Sequence, residues 1–220
     1  MKCSHCNGEC CYLEKREGTT RYSQLQSHGN GVHFCKQCED GTQTMSKRRI
    51  IIYDAPDNTG KSNMAQELSR RIGVPYFKNK DEHKYFLSDP AYFLHAARYV
   101  DTYFTSYLEA TDVSIILDRA WPSEWVYSQA LGRPTDLSIL RELDERHSAL
   151  GTRIIIPYRK DYSKCVDDYE VVNKNIQKIH DLYMEFFNWT KCETLMLQVD
   201  HEDLELEMKD TMQFLEETDR

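Results

Sequence analysis

The sequence predicts an α/β fold: a five-stranded parallel sheet with helices on both faces, preceded by a small cysteine-bearing module. Three observations carry this prediction. From Arg49 onward, short apolar runs alternate with stretches of helical periodicity. The first apolar run leads into Ala55-Pro56-Asp57-Asn58-Thr59-Gly60-Lys61-Ser62, a loop that opens the first helix. Six of the eight cysteines fall within the first 38 residues.

The chain has 220 residues, 40% hydrophobic and 11% aromatic, so it can bury a core and is not wholesale disordered. No run of 18 apolar residues is present, so no membrane span is expected. Met1 to Cys6 carries no apolar secretory region, and a cytoplasmic location is expected, the host cytoplasm if the chain is viral. The net charge of −8 is uneven, with +3 over residues 1–49 and −11 over the rest. An acidic body disfavours a general nucleic-acid-coating role but allows one basic cleft for phosphates. A homodimer is left open.

Residues 1–42 read as the cysteine module, 43–48 as a polar linker and 49–220 as the body. Cys3-x-x-Cys6 and Cys35-x-x-Cys38 are separated by 28 residues, and two such pairs supply the tetrahedral sulfur set that Zn²⁺ prefers. The segments Tyr12-Leu13-Glu14 and Arg21 to Leu25 resemble the hairpin of a zinc ribbon. So few large apolar side chains could hardly fold alone, and the metal would supply much of the folding energy. His5, Cys10, Cys11, His28 and His33 remain competing ligands, and a reduced thiol cluster is the plainer alternative. A structural or partner-docking role is favoured over a nucleic-acid ribbon. Four thiolates and one ion would bring the local charge down to about +1.

In the body, strands are expected at Ile50–Asp54, Val74–Lys78, Val113–Asp118, Arg153–Pro157 and around Leu195–Val199. Helices are expected at Gly60–Ile72, Pro90–Ala110, Pro122–Leu131, Asp136–Leu150, around Val172–Phe186, and at His201–Glu217. In the long helix, Phe93, Ala96, Ala97, Val100, Phe104 and Leu108 share the inward spacing. Ligands of such sheets sit beyond the carboxyl ends of the strands.

The loop from Ala55 matches GxxxxGK[ST] except at its first position, where Ala replaces Gly. Backbone N–H groups across Asn58, Thr59, Gly60, Lys61, Ser62 and Asn63 would cradle phosphates. Lys61 would reach the outer phosphates of ATP, and Ser62 would offer its hydroxyl to Mg²⁺. Asp118, ending a long strand, supplies the carboxylate that completes the Mg²⁺ shell.

At Ile50 to Ser62 and Leu117-Asp118-Arg119, the chain resembles the thymidylate kinase family of P-loop nucleoside monophosphate kinases, phage-type relatives included. The resemblance covers roughly residues 49–220 and implies the P-loop kinase fold. It places Asp57 as the loop carboxylate, a catalytic and substrate-binding position, and Arg119 as the arginine that holds the acceptor's phosphate. Deoxynucleoside kinases show Glu-Arg-Ser where this chain has Asp118-Arg119-Ala120. Phe93 to Arg98 resembles the acceptor-binding helix, with Arg98 as its arginine and Leu94 in place of the phenylalanine that stacks on the base. The lid would span Pro157–Asp168 with Arg159, Lys160 and Lys164, and Arg159 would close over the transition state. The implied activity is ATP-dependent phosphorylation of a (deoxy)nucleoside monophosphate, of the pyrimidine class, with a small-molecule nucleotide as partner. A kinase acting on a modified base or end within DNA, and a nucleotide-binding regulatory protein, are the alternatives.

Other features read blandly. Trp121 and Trp125 suit either the acceptor pocket or the core, and the Tyr-rich stretch from Tyr92 to Tyr107 reads as core. His147, His180 and His201 read as polar-face residues without a role, and Cys165 as an unremarkable lid residue.

Overall fold

The computed structural model describes residues 48–78, 91–163, 165 and 169–219, together with the backbone of two short strands at Gln26–His28 and Val32–Phe34. The chain divides into two units, Met1–Lys47 and Arg48–Arg220. In the first, β1 (Gln26–His28) pairs antiparallel with β2 (Val32–Phe34), with Ser27 opposite His33. This pairing lies after the segments expected to form the hairpin. Cys3, Cys6, Cys10, Cys11, Cys35 and Cys38 lie outside the described residues.

The second unit holds β3 (Ile50–Tyr53), β4 (Tyr76–Lys78), β5 (Ile115–Asp118), β6 (Arg153–Tyr158) and β7 (Glu193–Gln198). They form one sheet in the order β4-β5-β3-β6-β7, with every pairing parallel. The helices are α1 (Lys61–Ile72), α2 (Tyr92–His95), α3 (Thr102–Glu109), α4 (Trp121–Leu131), α5 (Leu137–Ala149), α6 (Glu170–Trp189) and α7 (Leu204–Thr218). The Ile-rich strands are buried on both faces, which is why they carry no polar alternation. Ile50, Ile52, Leu117, Ile154 and Ile156 pack on one side with Trp121, Trp125, Ile179, Tyr183 and Phe186. Ile51, Tyr53, Ile116 and Ile155 pack on the other with Met64, Leu68, Met208 and Leu215. Trp121 and Trp125 thus belong to the core, where Phe186 meets their rings at centroid separations of 5.4 and 5.6 Å.

Several expectations change. A π-helical turn at Ala96–Asp101 joins α2 to α3. Its wider winding shifts the inward face: Ala97, Thr105 and Leu108 are buried while Val100 is exposed. The same rotation puts Tyr99, Tyr103 and Tyr107 at the surface, contrary to their reading as core. The last helix starts later than expected because Asp203 caps it, accepting from the amides of Glu205 and Leu206 at 3.1 Å.

His147 also differs from its expected place. It is buried rather than on a polar face, its ring nitrogens lying 3.1 Å from the Thr105 hydroxyl and 3.0 Å from that of Thr152. Burial, with Arg146 nearby, pushes its pKa down to about 4. A folded-state pKa below the unfolded value means stability is full above the unfolded pKa and falls as pH drops through the folded one. Between pH 7 and pH 4, His147 should therefore remove up to roughly 3 kcal/mol of stability. Urea midpoints measured across that range should fall less steeply for His147→Gln than for the parent, and identical slopes would contradict this.

Candidate active site

Parallel pairing of β3 with β5 puts Tyr53 opposite Asp118, so the residues following both strands meet at one end of the sheet. This is the position where strand order reverses and where such sheets hold ligands. After β3 the chain forms a tight loop, closed by the Thr59 hydroxyl donating to the Pro56 carbonyl at 3.0 Å. Asn58 (φ 62°) and Gly60 (φ 77°) adopt left-handed backbone, and both residue types tolerate it. Lys61 and Ser62 open α1, where amides lack intrahelical acceptors, whereas Asn63 N already donates to the Gly60 carbonyl at 3.0 Å.

Arg119 follows β5, its amide donating to the Tyr53 carbonyl at 2.9 Å. It is also left-handed, with φ 69°, a conformation costly for a long side chain. That backbone turns the guanidinium toward the loop. There it donates to the Asp57 carboxylate, to Ser123 Oγ at 2.9 Å and to Tyr127 Oη at 3.3 Å. Tyr127 in turn donates to Asp57 Oδ2 at 2.7 Å, and Lys61 Nζ lies 3.4 Å from Asp57 Oδ1. Burial alone would raise the Asp57 pKa, but Arg119 and Lys61 hold it below the ordinary carboxylate value.

Asp54 braces this arrangement from beneath. It is fully buried and accepts from Ala120 N (3.0 Å), Ser123 N (3.1 Å), Ser123 Oγ (2.6 Å) and Tyr183 Oη (2.6 Å). These bonds fix the start of α4, so Ser123 and Tyr127, one turn apart, present to Arg119 together.

Asp118 accepts from Tyr76 Oη at 2.7 Å and pairs with Lys78 at 2.8 Å, both through Oδ2. Burial works to raise its pKa, and hydrogen bonds led by that from Lys78 bring it below the ordinary value. Its Oδ1 is buried with no hydrogen-bond partner. A free carboxylate oxygen beside the Ser62 hydroxyl is a donor set that fits a hard divalent cation.

Arg159 follows β6 and donates to the Asn58 carbonyl at 3.0 Å, with Glu202 at 3.0 Å on its other side. Arg98 is partly exposed and pairs with Asp136 at 3.2 Å, rather than with the carboxylates around Arg119. Asn63 lies in the first turn of α1. Lys164 lies outside the described residues. Thus Asp57, Lys61 and Arg119 are brought together, Ser62 and Asp118 sit beside them, and Arg159 reaches the loop's outer edge. Asp54, Ser123, Tyr127, Tyr183, Tyr76 and Lys78 were not anticipated. The Ser123–Tyr127 spacing of four after an Asp-Arg pair was the available signal for two of them.

The sheet order, loop and helices are those of a P-loop nucleotide kinase fold. Among solved structures, the chain is similar to YorR protein of Bacillus subtilis in complex with phosphorylated GDP, at 20% identity and TM-score 0.55, covering 77% of this chain and 96% of that one. It is similar to thymidylate kinase from Candida albicans at 16% identity and TM-score 0.55, covering 79% and 93%. Deoxyadenosine kinase from M. mycoides with dCMP and dCDP bound follows at 17% identity and TM-score 0.50, covering 76% and 98%. No family model matches the sequence, and no curated protein matches it. Among the described residues, no helix is long and apolar enough to cross a membrane.

The left-handed backbone at Arg119 is testable apart from any activity. Arg119→Gly and Arg119→Ala remove the same guanidinium, but only glycine accepts φ 69° freely. The Gly variant should be the more stable of the two by about 1–2 kcal/mol in denaturant unfolding. Equal stabilities, or a more stable Ala variant, would show that the backbone there is unstrained.

Proposed function

We propose that this protein is a Mg-ATP-dependent kinase that transfers a phosphoryl group to a (deoxy)nucleoside monophosphate of the pyrimidine class, giving the diphosphate. The observation that carries this reading is Arg119, held beside the phosphate loop by Asp57, Ser123 and Tyr127. A pure nucleotide binder needs no second cation fixed beside its loop. Similarity of fold to proteins named as thymidylate kinase and deoxyadenosine kinase supports phosphoryl transfer to a nucleoside or nucleotide, and the choice of a monophosphate acceptor rests on Arg119.

In this reading, the amides of Asn58–Asn63 and the Lys61 ammonium orient the donor phosphates. Ser62 and Asp118 hold Mg²⁺, which when bound neutralises charge on the phosphates. Arg119 grips the acceptor phosphate, with Arg98 closing from its helix once released from Asp136. Asp57 positions Arg119 and Lys61 and borders the acceptor. Arg159 approaches from above, where charge spreads over the transferring group. Catalysis would then be positioning plus charge stabilisation, with turnover on the order of 1–100 s⁻¹.

The spacing of Cys3, Cys6, Cys35 and Cys38 supports one structural Zn²⁺ in the amino-terminal module. One equivalent should copurify, and Cys35→Ser with Cys38→Ser should release it. Metal retained by that double variant would rule out this ligand set.

The kinase reading is tested by ADP release with ATP and a panel of dTMP, dUMP, dCMP and dGMP. Turnover should appear with a pyrimidine member and vanish in Lys61→Ala at unchanged circular dichroism. Activity surviving that substitution would remove the loop from the mechanism.

Lys61 also sets a pH dependence. Burial, with Arg119 nearby, lowers its pKa to about 8 against the pull of Asp57, Asp118 and Asp54. The ammonium is present below that value and lost above it. Affinity for ATP should therefore fall as pH is raised from 7 to 9, measured by calorimetry. A flat profile would contradict the role of Lys61.

A further inference from the structure

The two side chains assigned above to Mg²⁺ are already joined by a cation of the protein's own. The Lys78 ammonium donates to Ser62 Oγ at 2.6 Å and lies 2.8 Å from Asp118 Oδ2. Lys78 is the last residue of β4, and the strand register places it directly beside Asp118. Tyr76, two residues earlier on the same face of the strand, donates to the same carboxylate oxygen at 2.7 Å. The Asp118 side chain has no exposed surface, whereas that of Lys78 is 27% exposed. The carboxylate is thus fixed, and the lysine has room to leave.

One ammonium therefore spans the hydroxyl and the carboxylate that a divalent ion would use. Mg²⁺ sits about 2.0–2.1 Å from its oxygen ligands and tolerates little distortion of its octahedral shell. An ion at that distance from both oxygens would meet the ammonium at close range. Charge repulsion and the limited space both prevent the two cations from sharing the pair.

We propose that Lys78 is a built-in competitor for the metal, holding Ser62 and Asp118 in place without Mg²⁺ and swinging out when the metal binds. This rests on the assignment of Ser62 and Asp118 as metal-binding residues. The buried Oδ1 of Asp118 has no hydrogen-bond partner, so it keeps acceptor capacity for an ion once the lysine has moved aside. Metal affinity of the nucleotide-free protein is consequently weak. Entry of the metal together with a polyphosphate is favoured, because phosphate oxygens add ligands and offer the displaced ammonium a new partner.

The test uses Mn²⁺ as the probe, titrated into the nucleotide-free full chain and followed by electron paramagnetic resonance. Lys78→Met should bind Mn²⁺ at least tenfold more tightly than the parent, whereas Lys78→Arg, which keeps the cation, should stay near the parent value. Lys78→Gln keeps a hydrogen-bond donor without the charge and gives the same reading if the Met variant does not fold. Asp118→Asn should weaken Mn²⁺ binding in the Lys78→Met background. Unchanged affinity in Lys78→Met and Lys78→Gln, with Asp118→Asn still weakening it, would overturn the competition and leave the metal assignment standing. Indifference of Mn²⁺ to Asp118→Asn would remove the metal site itself, and the proposal with it.

Discussion

The ion pair between Asp57 in the loop after β3 and Arg119 after the neighbouring strand is the interaction around which the candidate site is arranged. Neither residue could meet the other without the parallel pairing that sets Tyr53 opposite Asp118. A one-residue slip of β5 would exchange the side chains that meet the two core layers and carry Arg119 away from the loop. Apolar packing on both faces of the sheet holds that register, and the buried Asp54 carries it into the first turn of α4. The Tyr183 hydroxyl, donated from α6, ties the layer beneath to the same carboxylate. Sheet register, helix placement and the orientation of one guanidinium are therefore a single constraint.

Charge explains why the cluster is built in pairs. Asp54, Asp57 and Asp118 face Lys61, Arg119 and Lys78 in a partly desolvated space. Unpaired, any one of these would be costly to bury. Paired, the cations stand in fixed positions, so a phosphate bound there as proposed would need little reorganisation. The Asp54 and Asp57 carboxylates face Arg119, whereas Lys78 faces the carboxylate that a metal could claim. Removing Asp57 alone would leave Arg119 and Lys61 repelling each other beside the loop.

Much of this was legible in the sequence, for identifiable reasons. Runs such as Ile50-Ile51-Ile52-Tyr53 can only be strands buried on two faces, and the strand–loop–helix context of Gly60-Lys61-Ser62 marks the loop despite Ala55. Asp118 was marked by its place at the end of a strand, whereas Arg119 was marked only by the resemblance of the Asp-Arg pair to that of the thymidylate kinase family. The π-helical turn left no trace in side-chain spacing, so Val100 and the tyrosines of that segment were placed on the wrong face. Lys78 escaped notice because its role depends on the register of a three-residue strand, which no local pattern fixes. Tyr183 lies 129 residues from Asp54, and a bond at that range has no sequence signature.

The central claim is that Arg119 is a preformed grip for the phosphate of an acceptor nucleotide. Calorimetry without ATP tests it most directly, comparing a pyrimidine deoxynucleoside with its 5′-monophosphate on the parent protein and on Arg119→Gln. A charge-assisted bidentate contact in a partly buried site predicts a preference for the monophosphate of roughly a hundredfold, since each 1.4 kcal/mol is tenfold. The account predicts that Arg119→Gln loses most of that preference while binding the nucleoside as before. Equal affinity of the parent for nucleoside and monophosphate, or a preference untouched by the substitution, would contradict it.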